Sequence, residues 1–338
     1  MNLRFKLAII LAGSLSISTN AVSGEELSVA TFVPPSHETI TGALAWFENE
    51  LTSRSNGELT LKVYAAGQLG AGPTQQYKRA VEGVADITFG IAASTPTLFP
   101  KTMLAILPGK ALDGPDSTRR MWTVFDKYMA DEWSDVKVLA VGNPAGGMII
   151  ATKDVSTIEG MKGTKIVPWA AITTPVLQGM GAVPVQLDPT EHYTALSTGT
   201  IDAAISSINN IMPPWNLDEV ANYAVVNTPA TFNPVFYVMN KERYESLSAK
   251  HQKIIDEISG MPFSMQLVQA FHDADEVALK WKDEKIAAGE LNVEWIVTSD
   301  RERAKMEAAA AAGMDAIYSD YADRGIQNAQ TIYEALNK

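Results

Sequence analysis

Four histidines, His37, His192, His251 and His272, are scattered along the 338 residues, and none has the spacing of a metal site. An H-E-x-x-H helix would set two ligands on one face with a general base between them, and no such pair occurs. Nucleophilic chemistry is no better served: there is no G-x-S-x-G turn to expose a serine, and cysteine is absent. Carboxylates are plentiful but fall in runs such as Asp273, Asp275, Glu276, Asp283 and Glu284, which read as a solvated helix face. The stretch Gly67-Gln68-Leu69-Gly70-Ala71-Gly72 looks like a phosphate cradle but lacks the Gly-Lys-Ser/Thr ending. These residue types support reversible binding rather than bond making. The expectation is therefore no catalysis, no metal and no cofactor.

The segment from Lys162 to Asp202 supplies the scaffold for binding. Lys165 to Val167 reads as a short strand stopped by Pro168, followed by a helix from about Thr173 to Met180 that Gly181 ends. Val183 to Leu187 reads as the next strand, and Asp188-Pro189-Thr190 starts a helix running to Ser197. Gly199 stops it before a third strand. The order βαβαβ predicts a mostly parallel sheet flanked by helices.

A similar unit precedes it. Leu27 to Phe32 alternates as a strand, and Ile40, Leu44, Phe47 and Leu51 then share one helix face. Leu59, Leu61 and Val63 alternate as a second strand, and a helix from Thr74 to Glu82 ends at Gly83. Gly83-Val84-Ala85-Asp86 and Gly199-Thr200-Ile201-Asp202 are the same device, a glycine helix stop feeding a strand that starts with aspartate. Two similar α/β lobes are expected, with a ligand in the crevice at their strand ends. The last third reads as helical: an apolar face from Asn240 to Gly260, a long helix from Pro262 to about Ala288, a strand over Val293 to Val297, and helices over Asp300 to Tyr318 and about Gly325 to Leu336.

Composition limits the partners. Hydrophobic residues at 46% and charged residues at 20% are typical of globular chains. Arg4 and Lys6 precede the apolar run Leu7 to Leu15 and a small, polar segment through Ser23, the three parts of a cleavable export signal. That run is about half the length needed to span a bilayer. With the chain starting near Gly24 or Glu25, 27 Lys and Arg less Arg4 and Lys6 leaves 25 against 39 acidic residues, a net charge of −14. Such a surface repels nucleic acid and anionic lipid. An exported, periplasmic protein is expected.

The residues Lys162-Gly163-Thr164-Lys165-Ile166-Val167-Pro168, Gly181-Ala182-Val183-Pro184-Val185 and Tyr193-Thr194-Ala195-Leu196-Ser197-Thr198-Gly199, with Asp202, carry a family pattern. So do Ala66-Gly67-Gln68-Leu69-Gly70 and the run from Val238 to Ile255. Together they resemble the solute receptors of tripartite ATP-independent periplasmic (TRAP) transporters over essentially the whole exported chain. The resemblance implies an α/β, two-lobed periplasmic binding protein fold, with mixed, mostly parallel sheets, hinge strands and a long lobe-spanning helix. It implies a signal over 1–24, a first lobe over 25–148 completed by parts of 242–338, a second lobe over 149–241, and a return segment over 242–338. Membrane permease subunits are the implied partners of a monomeric receptor; a ligand sensor for a membrane kinase is the alternative of another class.

The chain departs from that family at the ligand. The usual arginine between Ile166 and Pro168 is missing, and Met148 stands where a second arginine is implied. Ile205-Ser206-Ser207 replaces a loop that offers asparagine, and Ile91 replaces a polar position. A buried guanidinium without its anion costs several kcal/mol, so a receptor without these forks is expected to take something other than a simple carboxylate: a neutral, aromatic or amine-bearing solute. Trp169, Phe232 and Trp215 are the implied ring contacts; Ser206, Asn209, Asn210 and Asn233 the hydrogen-bonding groups; Met148, Ile91 and Asp188 further cleft positions. The rival reading is an organic acid held by Lys110 or by helix N-termini.

Overall fold

A computed structural model describes residues 24–111, 113–144, 147–187, 189–213, 215–229 and 233–338. The expected export signal therefore lies almost wholly outside the described residues. Among those residues, no helix is long and apolar enough to cross a membrane.

Eleven described strands form two sheets. In the first, β1 (Glu25–Ala30), β2 (Leu59–Tyr64), β3 (Ile87–Ile91), β4 (Val136–Gly142) and β10 (Val235–Asn240) lie in the order β2-β1-β3-β10-β4. In the second, β5 (Met148–Ala151), β6 (Lys165–Val167), β7 (Val183–Pro184), β8 (Ala203–Ser206), β9 (Tyr223–Val226) and β11 (Glu294–Val297) lie in the order β11-β9-β5-β8-β6-β7. The βαβ units give parallel pairs, β1 with β2 and β3, and β6 with β7 and β8. The strands next to the crossings, β10 and β5, run antiparallel to their neighbours. Both sheets are thus mixed.

The lobe boundaries shift from those expected. Val235–Asn240 pairs with β3 and β4, so the segment 149–241 does not belong entirely to the second lobe. Glu294–Val297 pairs with β9, and the helix Asp300–Ala311 packs on Thr174–Gly179, so much of the return segment serves the second lobe. The helix expected over Asp300 to Tyr318 is broken at Gly313, where an added Cβ would collide with the carbonyl of Pro175. Close approach to the neighbouring helix leaves room for glycine alone at that position.

The repeated Gly-x-x-Asp device does the same work in both lobes. Gly83 and Gly199 take φ of 68° and 70°, a left-handed turn that side chains resist. Asp86 then accepts from the Ser28 backbone N–H and hydroxyl, both at 2.7 Å, tying β3 to β1. Asp202 accepts from the Lys165 backbone N–H at 2.8 Å, tying β8 to β6.

The helix Met261–Ala288, 28 residues and about 42 Å long, runs past both lobes. Its first half buries Phe263, Leu267 and Ala270 against the first lobe. Phe263 stacks on Phe47 at 4.5 Å and on Tyr237 at 5.1 Å, and the Tyr237 hydroxyl donates to the Thr39 carbonyl at 2.9 Å. Its second half carries Trp281 and Lys282, the ammonium of Lys282 lying 4.7 Å from the Trp295 ring centre in the second lobe. Phe263 is fully buried. Phe263→Ala is expected to cost about 3–5 kcal/mol, read as a lower denaturant midpoint in equilibrium unfolding.

Candidate ligand cleft

The first lobe presents the turn after β1 and the start of the helix that follows it. Phe32 stacks on Phe89 at 5.7 Å, and His37 meets Phe271 edge-on at 6.0 Å. Burial holds the His37 imidazole below its ordinary pKa, against the pull of Glu38 beside it. Glu38 reaches across to the second lobe: the Asn209 side-chain amide donates to its Oε1 at 3.1 Å. The Asn209 backbone N–H donates to Asp275 Oδ1 at 3.3 Å. One asparagine of the second lobe therefore joins a carboxylate of the first lobe to a carboxylate of the spanning helix.

Two sequence expectations change here. Asn209 was to orient a ligand; one of its two amide N–H groups is used in the lobe-to-lobe bridge, while its Oδ1 meets no donor among the described residues. Asp275 was to lie on a solvated helix face, but it is buried. Burial pushes its carboxyl up to about 7, helped by the charges of Glu38 and Glu276 and opposed by the Asn209 N–H. Nothing in the spacing of residues 38, 209 and 275 announced this cluster.

Trp169 leaves the end of β6 half-buried after Pro168. A Cβ on Gly147 would sit 2.9 Å from the indole Nε1 and 2.9 Å from the Ser206 carbonyl oxygen, so glycine is what lets the indole lie against that backbone. The indole N–H finds no acceptor among the described residues. Ser206, buried at the end of β8, accepts from the Asn210 amide at 2.9 Å, so these two groups satisfy each other. Asn233 is half-buried, and its Oδ1 meets no donor among the described residues.

Other expected site residues stand elsewhere. Met148 is fully buried and packs with Ile150, Val167, Ala204 and Ile211 in the core of the second lobe. It lines that core rather than the crevice, because its pleat faces inward. Ile91 is half-buried against the core around Leu27 and Phe89. Trp215 is 39% exposed on the turn beyond Ile208–Ile211. Asp188 and Phe232 lie outside the described residues. Lys110 is exposed, with its backbone N–H donating to the Asn337 side-chain oxygen at 2.6 Å.

Behind the cleft is a cavity of about 310 Å³ between the lobes. Leu107, Ser117 and Arg120 wall it from the first lobe; Gly147, Ile208, Asn227 and Arg303 from the second. Gly147 connects it to the seat of Trp169. Neither arginine was singled out in the sequence, since each lies on an ordinary charged helix face.

Comparison with known proteins agrees with this architecture. Residues 29–320 match the model of the family described as bacterial extracellular solute-binding protein, family 7. The chain belongs to this family. It is a solute-binding protein of the TRAP type, and the family is a periplasmic transport family rather than a catalytic one. A solved TRAP solute-binding protein from a marine metagenome, specific for aromatic acid ligands and in complex with metahydroxyphenylacetate, is similar at 26% identity and TM-score 0.82, covering 92% of this chain and 97% of that one. A TRAP solute-binding protein from Rhodoferax ferrireducens, in complex with copurified benzoate, is similar at 25% identity and TM-score 0.82, covering 93% and 96%. The outer membrane transporter protein TsaT of Comamonas testosteroni is 25% identical over 347 residues, 99% of this chain and 98% of that protein.

The bridge gives the fold a pH dependence. Asp275 titrates near 7 when folded and near 4 when unfolded, so the folded state binds the extra proton between those values. Stability falls as pH rises through that window, because the buried carboxyl must then ionise. Glu132, also raised to about 7 chiefly by burial, adds a contribution of the same sign. Thermal melts from pH 5 to pH 8 are expected to show a declining melting temperature, with a shallower decline in Asp275→Asn.

Proposed function

We propose that this receptor captures a small aromatic solute between its two lobes in the periplasm and delivers it, as a monomer and without catalysis, to TRAP membrane permease subunits. The observation that carries the reading is Trp169: a half-buried indole on the backbone at Gly147, at the junction of the lobes, with its N–H unpaired among the described residues. An indole in that setting offers a flat apolar face for a ring and a hydrogen-bond donor at its edge. The aromatic acids carried by the solved relatives at 25% and 26% identity support the same class.

The charge of the solute is a separate matter. The missing guanidiniums beside Met148 and Val167 favour a solute other than a simple carboxylate, neutral or amine-bearing. An aromatic acid is the second reading, favoured by the relatives' ligands. Lys110 gives it no support, since its exposed side chain is not part of the cavity wall.

A thermal-shift screen tests the class. Benzoate, 3-hydroxybenzoate, mandelate, benzyl alcohol and benzylamine are set against succinate and glucuronate. Aromatic compounds are expected to raise the melting temperature and the aliphatic acids to leave it unchanged; stabilisation by the aliphatic acids alone overturns the reading. Trp169→Ala is expected to weaken the best aromatic ligand about tenfold, from the loss of roughly 1–2 kcal/mol of ring contact, as measured by calorimetric titration.

A further inference from the structure

Glu38, Asn209 and Asp275 come from three distant parts of the chain and meet at one point between the lobes. Glu38 precedes the helix after β1 in the first lobe, Asn209 lies in the helical turn Ile208–Ile211 of the second, and Asp275 is buried on the spanning helix Met261–Ala288. The Asn209 amide donates to Glu38 Oε1 at 3.1 Å, and its backbone N–H to Asp275 Oδ1 at 3.3 Å. No lysine or arginine among the described residues pairs with either carboxylate. Glu38 has His37 beside it, Nδ1 to Oε2 at 3.4 Å, but burial keeps that imidazole below its ordinary pKa. The spanning helix adds a further negative charge at Glu276, and Asp273 and His272 on its exposed side. Lys282, two turns on, is taken up by Asp283 at 2.9 Å and by the Trp295 ring. The turn Ile208–Ile211 brings asparagines and no charge.

We infer that apposition of the second lobe to the spanning helix takes up one proton at Asp275, so that acid draws the two lobes together and alkali lets them part. With Asn209 and its neighbours against the helix, water is kept from the Asp275 carboxyl and burial pushes it up to about 7. With the second lobe drawn back, water returns and the group reverts to the ordinary range near about 4. Between those values the apposed state holds a proton that the parted state has lost. Each unit of rising pH in that window therefore lowers the ratio of apposed to parted molecules by up to about tenfold. Above about 7 both states are ionised and the dependence ends. A solute held between the lobes favours the same apposed state, so its affinity carries the same slope. The inference concerns the motion of the lobes and holds whichever solute they take.

The chain has no cysteine, so Lys78→Cys and Ser197→Cys, at exposed helix positions of the first and second lobes, together carry a pH-insensitive donor and acceptor dye. Single-molecule energy transfer in the unliganded exported chain, from about pH 5 to pH 8.5, tests the inference. The ratio of near to far molecules is expected to fall by up to about tenfold per pH unit and to level off above about pH 7. Asp275→Asn, which keeps the shape of the protonated carboxyl, is expected to hold the ratio flat. Glu38→Gln removes one repelling charge, so the slope is expected to end at a lower pH. Melts at the acid end of the range check folding, and if Asp275→Asn does not fold, the shift in Glu38→Gln decides. A ratio independent of pH in wild type, or a slope that survives unchanged in Asp275→Asn and so belongs to His37, overturns the inference. Either result leaves the aromatic reading to its own thermal-shift screen.

Discussion

Both lobes are referred to one rod, the helix Met261–Ala288, and the geometry of the cleft follows from how each is fixed to it. The first lobe is held by aromatic stacking, Phe47 and Tyr237 against Phe263, in a dry core. The second is held more sparingly, by Asp275 on Asn209 and by Lys282 over Trp295. Tight packing transmits displacement rather than absorbing it, whereas a few polar contacts can be made and broken at small cost. The asymmetry fixes the helix more firmly to the first lobe than to the second, where Trp281 adds the apolar contact.

The bridge from Glu38 through Asn209 to Asp275 ties both lobes to that helix. Two carboxylates sharing one amide is a costly arrangement, because each loses solvation and neither neutralises the other. It is tolerable because burial and mutual repulsion let Asp275 hold a proton near neutrality. The contact between the lobes is therefore weak, which suits a receptor: a cleft latched shut by its own side chains would not release its solute.

Much of the scaffold was legible in the sequence because it obeys local rules. The two Gly-x-x-Asp devices, the βαβ units and the long helix each follow from periodicity and helix stops, and each is present, although the strand expected over Val183 to Leu187 shortens to Val183–Pro184. What was missed depends on contacts between distant segments. The break at Gly313 came from the carbonyl of Pro175, and the burial of Asp275 from the approach of the second lobe to an otherwise polar helix face. The transfer of Val235–Asn240 to the first sheet came from its pairing with β3 and β4. At the expected site, Met148 was placed in the crevice by correspondence alone, and its pleat directs it into the core.

The position of the charges in the cleft follows from the same constraint. Arg120 and Arg303 are each paired within a single helix, so neither needs the other lobe for its own stability. Both arginines therefore stay matched in charge within their own helices, while Leu107, Ile208, Val226 and Pro229 give the same cavity its apolar wall.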